Sequence, residues 1–157
     1  MKNKTNAMRL LDTAHIKYTP LEYEVDENDL SGMHISRELN MNPDMMFKTL
    51  VGRGEKLGIV VFCIPVSCEI DLKKAAVAAG DKRIELLPVK ELLATTGYIR
   101  GGCSPVGMKK KYPTYIDETA ILYDEIYVSA GVRGQMMRLS PDALLEFVDA
   151  KYAELTR

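Results

Sequence analysis

The segment Leu57-Gly58-Ile59-Val60-Val61-Phe62-Cys63-Ile64 is the most strongly patterned part of this 157-residue chain. Its β-branched residues predict a central strand. Residues 46–51, which precede it, predict either a second strand or a junction between a helix and a strand. The glycines of Gly52-x-Gly54 are expected to form the turn that joins the two segments.

Further strands and helices are predicted on both sides of this pair. Apolar periodicity and capping residues predict helices over residues 5–16, 33–39, 72–79 and 88–96 and after Ser140-Pro141. Short apolar runs between turn residues predict strands over residues 18–25, 84–87, 114–116, 125–129 and 135–139. Pro20 interrupts the first of these, which is therefore expected at a sheet edge because proline cannot donate to a central ladder.

The order of these elements indicates an α+β fold. Strands and helices are mixed without a regular βαβ period, which favours a mixed, mostly antiparallel sheet with flanking helices. No linker, repeat or low-complexity segment divides the chain. The sequence therefore predicts a single domain over residues 1–157, with a sheet that curls into a barrel-like shape.

Composition excludes several classes of protein. Hydrophobic residues make up 46% and charged residues 27% of the chain, as in folded globular proteins. Lys and Arg number 21 against 22 Asp and Glu, which gives a net charge of −1. The chain is therefore not a polycation, and any contact with nucleic acid must come from a local basic patch.

The sequence also predicts a cytoplasmic protein with free thiols. The longest apolar run, residues 59–64, is far below the roughly 18 residues of a membrane span. No apolar region follows the basic start Met1-Lys2-Asn3-Lys4, so no signal peptide is expected. The three cysteines lack the paired spacing of a zinc site, and neither a metal nor a cofactor is predicted.

A glycine-rich segment is the strongest candidate for chemistry. Gly101, Gly102 and Gly107 surround a Ser-Pro pair, and three lysines follow. Such a segment is either a structural turn or a loop whose backbone N–H groups approach a ligand. A nucleotide-binding P-loop is rejected because Met108 stands where its lysine should be. Lys109, Lys110 and Lys111 form either a solvated loop or a phosphate-binding group.

Two further positions have open interpretations. Lys48 lies among apolar neighbours, so its side chain either extends to solvent from a sheet edge or projects into a pocket as a fixed cation. Ser129 ends a predicted strand before a glycine turn and could be a cap, a ligand contact or a nucleophile. No motif supplies a histidine base for it, which disfavours a Ser-His-Asp triad.

Five segments in order resemble the YbaK/EbsC family of free-standing aminoacyl-tRNA editing proteins. They are also similar to the insertion domain of bacterial prolyl-tRNA synthetases. Together they span most of the chain, and it is the ordered set that makes the resemblance specific. The segments are residues 44–50, 71–75, 96–107, 113–117 and 126–134.

The resemblance implies a single α+β domain that hydrolyses the ester between a wrong amino acid and the terminal ribose of tRNA. Lys48 would be the functional lysine and Tyr23 a pocket tyrosine. The remaining pocket residues that the resemblance implies are Thr49, Gly101, Gly102, Ser104 and Ser129. One departure stands out, because Met136 occupies a position where family members often have an acidic residue.

The resemblance also implies a mechanism. A cysteinyl ester supplies its own nucleophile, and its thiol would attack its own carbonyl to give a cyclic thiolactone. Proximity of this kind is worth roughly 7–11 kcal/mol. Gly101 and Gly102 would donate backbone N–H groups to the carbonyl oxygen. Lys48 would either hold the terminal ribose or phosphate or stabilise developing negative charge.

Three functions remain open from the sequence. The first is trans-editing of Cys-tRNA(Pro), with recruitment through prolyl-tRNA synthetase and phosphate contacts from Lys109, Lys110 and Lys111. The second is deacylation of Ala-tRNA(Pro), which requires an activated water because alanine has no thiol. The third is non-catalytic binding of tRNA ends, nucleotides or a partner protein in the same pocket.

Overall fold

The computed structural model describes residues 3–157, so Met1 and Lys2 of the basic N-terminal segment lie outside the described residues. The helices are α1 (Asn6–Thr13), α2 (Gly32–Glu38), α3 (Leu72–Ala79), α4 (Val89–Thr96) and α5 (Pro141–Phe147). The strands are β1 (Tyr18–Glu22), β2 (Phe47–Gly54), β3 (Gly58–Pro65), β4 (Ile84–Leu86), β5 (Thr114–Asp117), β6 (Ile126–Ser129), β7 (Gln135–Leu139) and β8 (Lys151–Ala153). Two 3₁₀ helices cover Pro43–Met45 and Glu118–Leu122.

Strands β2 and β3 form the predicted hairpin, but its turn lies elsewhere. The pairing runs from Phe47↔Pro65 to Gly54↔Gly58, so residues 55–57 make the turn and Gly52-x-Gly54 belongs to β2. The turn prediction at these glycines was therefore wrong. They permit close approach instead: a Cβ at Gly52 would lie 2.8 Å from Ile84, and one at Gly54 would lie 2.2 Å from the Asp81 carboxylate.

The strands form two open sheets. One has the order β1-β7-β6 and is antiparallel throughout. The other has the order β4-β2-β3-β5-β8, with β5 and β8 parallel to their neighbours. The mixed, mostly antiparallel α+β architecture is confirmed. The barrel-like closure is not, because β6 meets β2 only through the isolated bridge Met46↔Tyr127.

The core explains why β3 is continuously apolar. Val60, Phe62 and Ile64 belong to a cluster that packs against α3. Cys63 belongs to a second cluster, which includes Met8 of α1, Val128 of β6 and Met137 of β7. Because β3 is buried on both faces, apolar side chains occupy successive positions instead of alternating with polar ones.

Other elements follow their sequence signals closely. Asp71 caps α3 through the N–H groups of Lys73 and Lys74, and Gly80 ends the helix with φ +74°. Ser140 accepts from the N–H of Ala143 at the start of α5. Strand β1, which contains Pro20, is an edge strand as predicted. Within residues 3–157, none of the helices has the length and apolar composition of a membrane span.

Candidate active site

A cavity that contains the predicted site residues Lys48, Gly101 and Ser129 lies beside β2, between the parts of its edge that β6 and β4 contact. Strand β6 forms a backbone bridge to this edge only at Met46, just before β2, and β4 pairs only with residues 52–54. Residues 46–51 all line the cavity, which has a volume of about 390 Å³. Since successive side chains of a strand point to opposite faces, six consecutive lining residues mean that the strand edge itself borders the cavity.

The floor of the cavity is apolar. A cluster of four buried side chains faces it from α2, the start of β2, the end of β3 and β7. These side chains are Ile35, Met46, Val66 and Met136. Helix α4 adds Val89 and Leu92 to the wall. Met136 lies opposite Ser129 in the β6–β7 pair and is 4% exposed. Its thioether therefore occupies the position that the sequence comparison singled out as often acidic.

Two cations line this apolar cavity without a partner. The partly buried Lys48 ammonium makes no hydrogen bond or ion pair with any residue from 3 to 157. Arg100 also lines the cavity but is exposed to solvent, and its guanidinium is unpaired among the described residues. Neither a carboxylate nor a histidine side chain of this part of the chain lines the cavity. The site is therefore built to favour negative or neutral groups.

Gly101 and Gly102 have different surroundings. Gly101 lines the cavity with φ +86°, a conformation that favours glycine, and its N–H has no acceptor within the described residues. Gly102 is buried under Val132 and Arg133, whose backbone atoms would lie 3.1–3.2 Å from an added Cβ. Its N–H donates to the Ile99 carbonyl at 2.9 Å, so the predicted donation of this N–H to a substrate is corrected.

Thr49 and Ser129 both line the cavity. The Thr49 hydroxyl lies 3.8 Å from the sulfur of Cys63, its partner across the β2–β3 pair. The Ser129 hydroxyl oxygen accepts from the Gly131 N–H at 3.1 Å, which fixes its position and leaves its own proton free to donate. Both hydroxyls are therefore positioned to contact a bound molecule.

Ser104 and Tyr23 are not among the lining residues. Ser104 is fully buried, and its hydroxyl oxygen accepts from the Val106 N–H at 3.2 Å, which makes it part of the glycine-rich turn. Tyr23 packs against the apolar cluster that forms the cavity floor, and its N–H donates to the Gly134 carbonyl. Both residues support the site from outside the cavity.

Two side chains hold the glycine-rich turn in place. The Tyr98 hydroxyl donates to the Val106 carbonyl, and burial raises the pKa of this phenol to about 12. Arg133 donates from Nε to the Arg100 carbonyl at 2.8 Å and pairs with Glu27. The backbone around Arg100 and Gly101 is thus tied to its neighbours, as a preorganised site requires.

Cys103 lines the same cavity but is not suited to act as a nucleophile. Burial raises the pKa of its thiol to about 12, and a side-chain hydrogen bond with Thr96 opposes this only in part. The thiol is therefore neutral at physiological pH. Cys63, fully buried behind Thr49, also has its pKa raised to about 12 by burial.

The lysine triplet lies outside the cavity, beside the end of α4. Lys109 donates from Nζ to the Ala94 carbonyl at 3.3 Å, and Lys111 forms an exposed ion pair with Asp149 at 3.4 Å. Lys110 is exposed and makes no contact of this kind within residues 3–157. None of the three lysines is among the residues that line the cavity.

Sequence reasoning missed Arg100 and the contribution of α2. Arg100 directly precedes Gly101 in the glycine-rich segment, so its place beside a candidate backbone donor was a usable signal. Ile35 of α2 gave no such signal, because an apolar residue on a short helix is typical of any core. Its position at the cavity depends on tertiary packing alone.

The chain is similar to proteins that act on aminoacyl-tRNA. The family model described as "Aminoacyl-tRNA editing domain" matches residues 34–147. A protein of Enterococcus faecalis (strain ATCC 700802 / V583), named EbsC with a proposed Cys-tRNA(Pro)/Cys-tRNA(Cys) deacylase activity, is 47% identical over 155 residues. The alignment covers 99% of this chain and 94% of that relative.

Two solved structures share the fold over nearly the whole chain. One, described as a proposed trans-editing enzyme for prolyl tRNA synthetase, matches with a TM-score of 0.81 at 25% identity and covers 99% of both chains. The other, a hypothetical protein, matches with a TM-score of 0.86 at 19% identity and covers 95% of this chain and 97% of its own. The second likeness concerns the fold alone.

Proposed function

Since this chain belongs to the aminoacyl-tRNA editing domain family, we propose that it is a trans-editing hydrolase that deacylates mischarged Cys-tRNA(Pro). The observation that supports this most directly is that the unpaired Lys48 and the backbone of Gly101 line one cavity. Its volume of about 390 Å³ lies within the range of small-molecule sites, roughly 300–1,000 Å³. The terminal adenosine and its amino acid are ligands of this size class.

The charge of the cavity suits a reaction through a thiolate. A free cysteine thiol has a pKa near 8.5, so only a few per cent is ionised at pH 7. Lys48 and Arg100 are cations without lining carboxylates, and such surroundings favour the ionised form of a bound thiol. The same cations stabilise the negative charge that develops on the ester oxygen.

The lining also favours cysteine over alanine as the amino acid removed. Hydrolysis of an alanyl ester needs a water activated by a general base, a role usually filled by His, Asp or Glu. Among residues 3–157, no such side chain lines the cavity. A cysteinyl ester needs no base of this kind once its thiol is ionised, because the nucleophile is part of the substrate.

The proposed reaction has two steps. The substrate sulfur attacks its own carbonyl carbon, the C–O bond to the ribose breaks, and the thiol proton ends on the ribose hydroxyl. Water then opens the cyclic thiolactone and gives free cysteine. Lys48 stabilises negative charge in the first step, and the free N–H of Gly101 donates to the carbonyl oxygen.

The other predicted residues have positioning roles in this proposal. Ser129 and Thr49 contact the nucleoside or the amino acid through their hydroxyl groups. Tyr23, Gly102 and Ser104 support the walls, in keeping with their hydrogen bonds to neighbouring backbone. The cavity thus divides into a reacting end and supporting walls.

Binding of the tRNA body is proposed to be weak and shared. Lys109, Lys110 and Lys111, which do not line the cavity, contact phosphates beyond the terminal nucleotide. With a net charge of −1, the free protein should bind tRNA with low, salt-sensitive affinity. Recruitment through prolyl-tRNA synthetase in the cytoplasm would supply the selectivity for tRNA(Pro).

Single-turnover deacylation of Cys-tRNA(Pro) tests the proposal. Lys48→Ala should lower the rate by at least 100-fold, comparable to the loss of a donor in an oxyanion site, about 10²–10³. Lys56→Ala, in the turn at the far end of the same hairpin, is the matched control and should retain the wild-type rate. A wild-type rate in Lys48→Ala would remove this lysine from the mechanism. If the wild-type protein does not accelerate the reaction, the proposal is wrong.

A further inference from the structure

The surroundings of the substrate amine lead to an inference that rests on the proposed function. An aminoacyl ester has an α-ammonium group one bond from the carbon that bears the reacting carbonyl. This group must therefore lie near whatever stabilises the reacting atoms. In this cavity those neighbours are Lys48, the Gly101 backbone and apolar side chains such as Met136 and Ile35.

The cavity does not stabilise a positively charged ammonium group. Transfer of an ionised group from water to an apolar wall is unfavourable unless a partner of opposite charge compensates it. Within the described residues the lining offers no carboxylate, and both of its charged side chains are cations. Outside the lining, Glu27 is engaged by Arg133 at 3.2 Å, and Asp29 accepts from the Ser31 N–H at 3.1 Å. The cavity thus lacks an ion-pair partner for the amine and adds repulsion from Lys48 and Arg100.

We propose that the enzyme does not require a free α-ammonium group and that N-acylated cysteinyl esters of tRNA are a further class of its substrates. Acylation removes the positive charge and replaces it with a neutral amide, which the apolar walls and unpaired cations accept more readily. The modification leaves in place the thiol that attacks and the ester bond that breaks. The cavity therefore binds the acylated amine more favourably than the charged ammonium group.

The chemistry balances as it does for the free amino acid. The sulfur of the N-acyl-cysteinyl group attacks its own carbonyl carbon, and the bond to the ribose oxygen breaks. The thiol proton ends on the ribose hydroxyl. The first product is an N-acyl thiolactone, which water opens to the N-acylcysteine. No oxidant, reductant or second substrate other than water is needed.

The test compares Cys-tRNA(Pro) with N-acetyl-Cys-tRNA(Pro), prepared by acetylation of the same charged tRNA. Assays at about pH 5.5 keep the free amine charged, because the pKa of an ordinary α-amino group is about 7.7–8.0 and the neighbouring ester lowers it. Each catalysed rate is divided by the spontaneous hydrolysis rate of the same ester. This division removes the intrinsic difference in reactivity that the ammonium group causes.

The expected rate enhancement for the N-acetylated ester is equal to or greater than that for the free ester. An enhancement below one third of the free-ester value would overturn the inference. The proposed function fails separately, if neither ester is hydrolysed faster than in buffer. Hydrolysis of the free ester alone would leave the proposed function standing and overturn only this inference.

A variant isolates the electrostatic cause. Arg100→Gln removes one cavity cation and should raise the preference for the free amine over the acetylated one by about threefold to tenfold. The ratio is measured on one protein preparation, so a general loss of folding or tRNA binding cancels. Arg53→Gln, whose arginine pairs with Glu91 outside the cavity, is the matched control and should leave the ratio unchanged. An unchanged ratio in Arg100→Gln would overturn the electrostatic basis of the inference.

Discussion

Cys103 shows how strongly burial governs the chemistry of a single side chain. Its thiol borders the cavity, but with a pKa of about 12 it holds on the order of three thousandfold less thiolate at neutral pH than a free cysteine of pKa near 8.5. We expect iodoacetamide at pH 7.5 to label the partly exposed Cys68 well before Cys103, as measured by peptide mass spectrometry. Cys103→Ala should deacylate within about twofold of wild type. Equal labelling of both thiols would contradict this account.

Tyr98 has a larger structural role than its place in a loop suggests. Its hydroxyl donates to the Val106 carbonyl, and its ring lies under Gly131. Tyr98→Phe leaves that carbonyl without its donor, so we expect the free energy of unfolding in urea to fall by about 1–3 kcal/mol. Tyr123→Phe, whose hydroxyl has no partner in the described part of the chain, should change it by much less. Equal losses would show that the hydrogen bond contributes nothing.

Single residues also mark how far the sequence could predict the site. Lys48, Thr49, Gly101 and Ser129 were expected in the pocket and do line the cavity. Gly102 could not be judged from the motif, because its N–H is engaged by a turn and its Cα lies under a segment thirty residues later. Hydrogen bonds of this kind are settled by local geometry, which residue types alone do not specify.

The turn of the β2–β3 hairpin is held by one carboxylate. Asp81, after α3, accepts from the N–H groups of Leu57, Lys56 and Lys82, and chiefly the bond from Leu57 lowers the pKa of Asp81. The folded state therefore favours the ionised form. Its contribution to stability is present above the unfolded pKa of about 3.9 and is lost as pH falls through the lower folded value.

Thermal unfolding between pH 7 and pH 2.5 measures this contribution. Asp81→Asn should have a lower Tm than wild type at pH 7, and the difference should shrink as the pH falls below about 4. Asp124→Asn, at an exposed aspartate that makes no hydrogen bond within the described residues, is the control and should show no such convergence. A constant Tm difference for Asp81→Asn at all pH values would contradict the assignment.

Among the elements, those with strong local signals were predicted best. Helix α3 begins and ends at the residues that Asp71 and Gly80 indicated. Strand β8 was missed, because a segment of three residues has no measurable period and this one is defined by its parallel pairing with β5. The wrong turn at Gly52 has a similar cause, since glycine permits both a turn and close packing.

At the scale of the whole molecule, net charge and its distribution set the interaction with tRNA. Lys110 is unpaired and exposed beside α4, whereas the chain as a whole has a charge of −1. Lys110→Gln should weaken tRNA binding and reduce the slope of log K against log salt by about 0.7–0.9, the value of one phosphate contact. Titrations from 50 to 200 mM salt measure this slope. The control Lys56→Gln should leave it unchanged, and an unchanged slope in Lys110→Gln would place the tRNA elsewhere.

The sequence predicted the α+β architecture correctly but not whether its sheets close into a barrel. The alternation of elements indicated an α+β fold, and the ordered motif segments indicated which parts of the chain meet at one site. The barrel-like shape was not found, because closure depends on whether β6 and β2 continue pairing beyond Met46. Pairing between strands that are distant in the sequence leaves no local pattern in it.

Within residues 3–157, the part of β2 that lines the cavity has no strand paired along this edge, and this affects how substitutions can change the site. A molecule bound at this edge contacts backbone N–H and C=O groups, whose chemistry does not depend on the side chain. Substitutions on the surrounding helices and on β7 can therefore change which groups the cavity accepts, while the backbone groups of this edge stay the same.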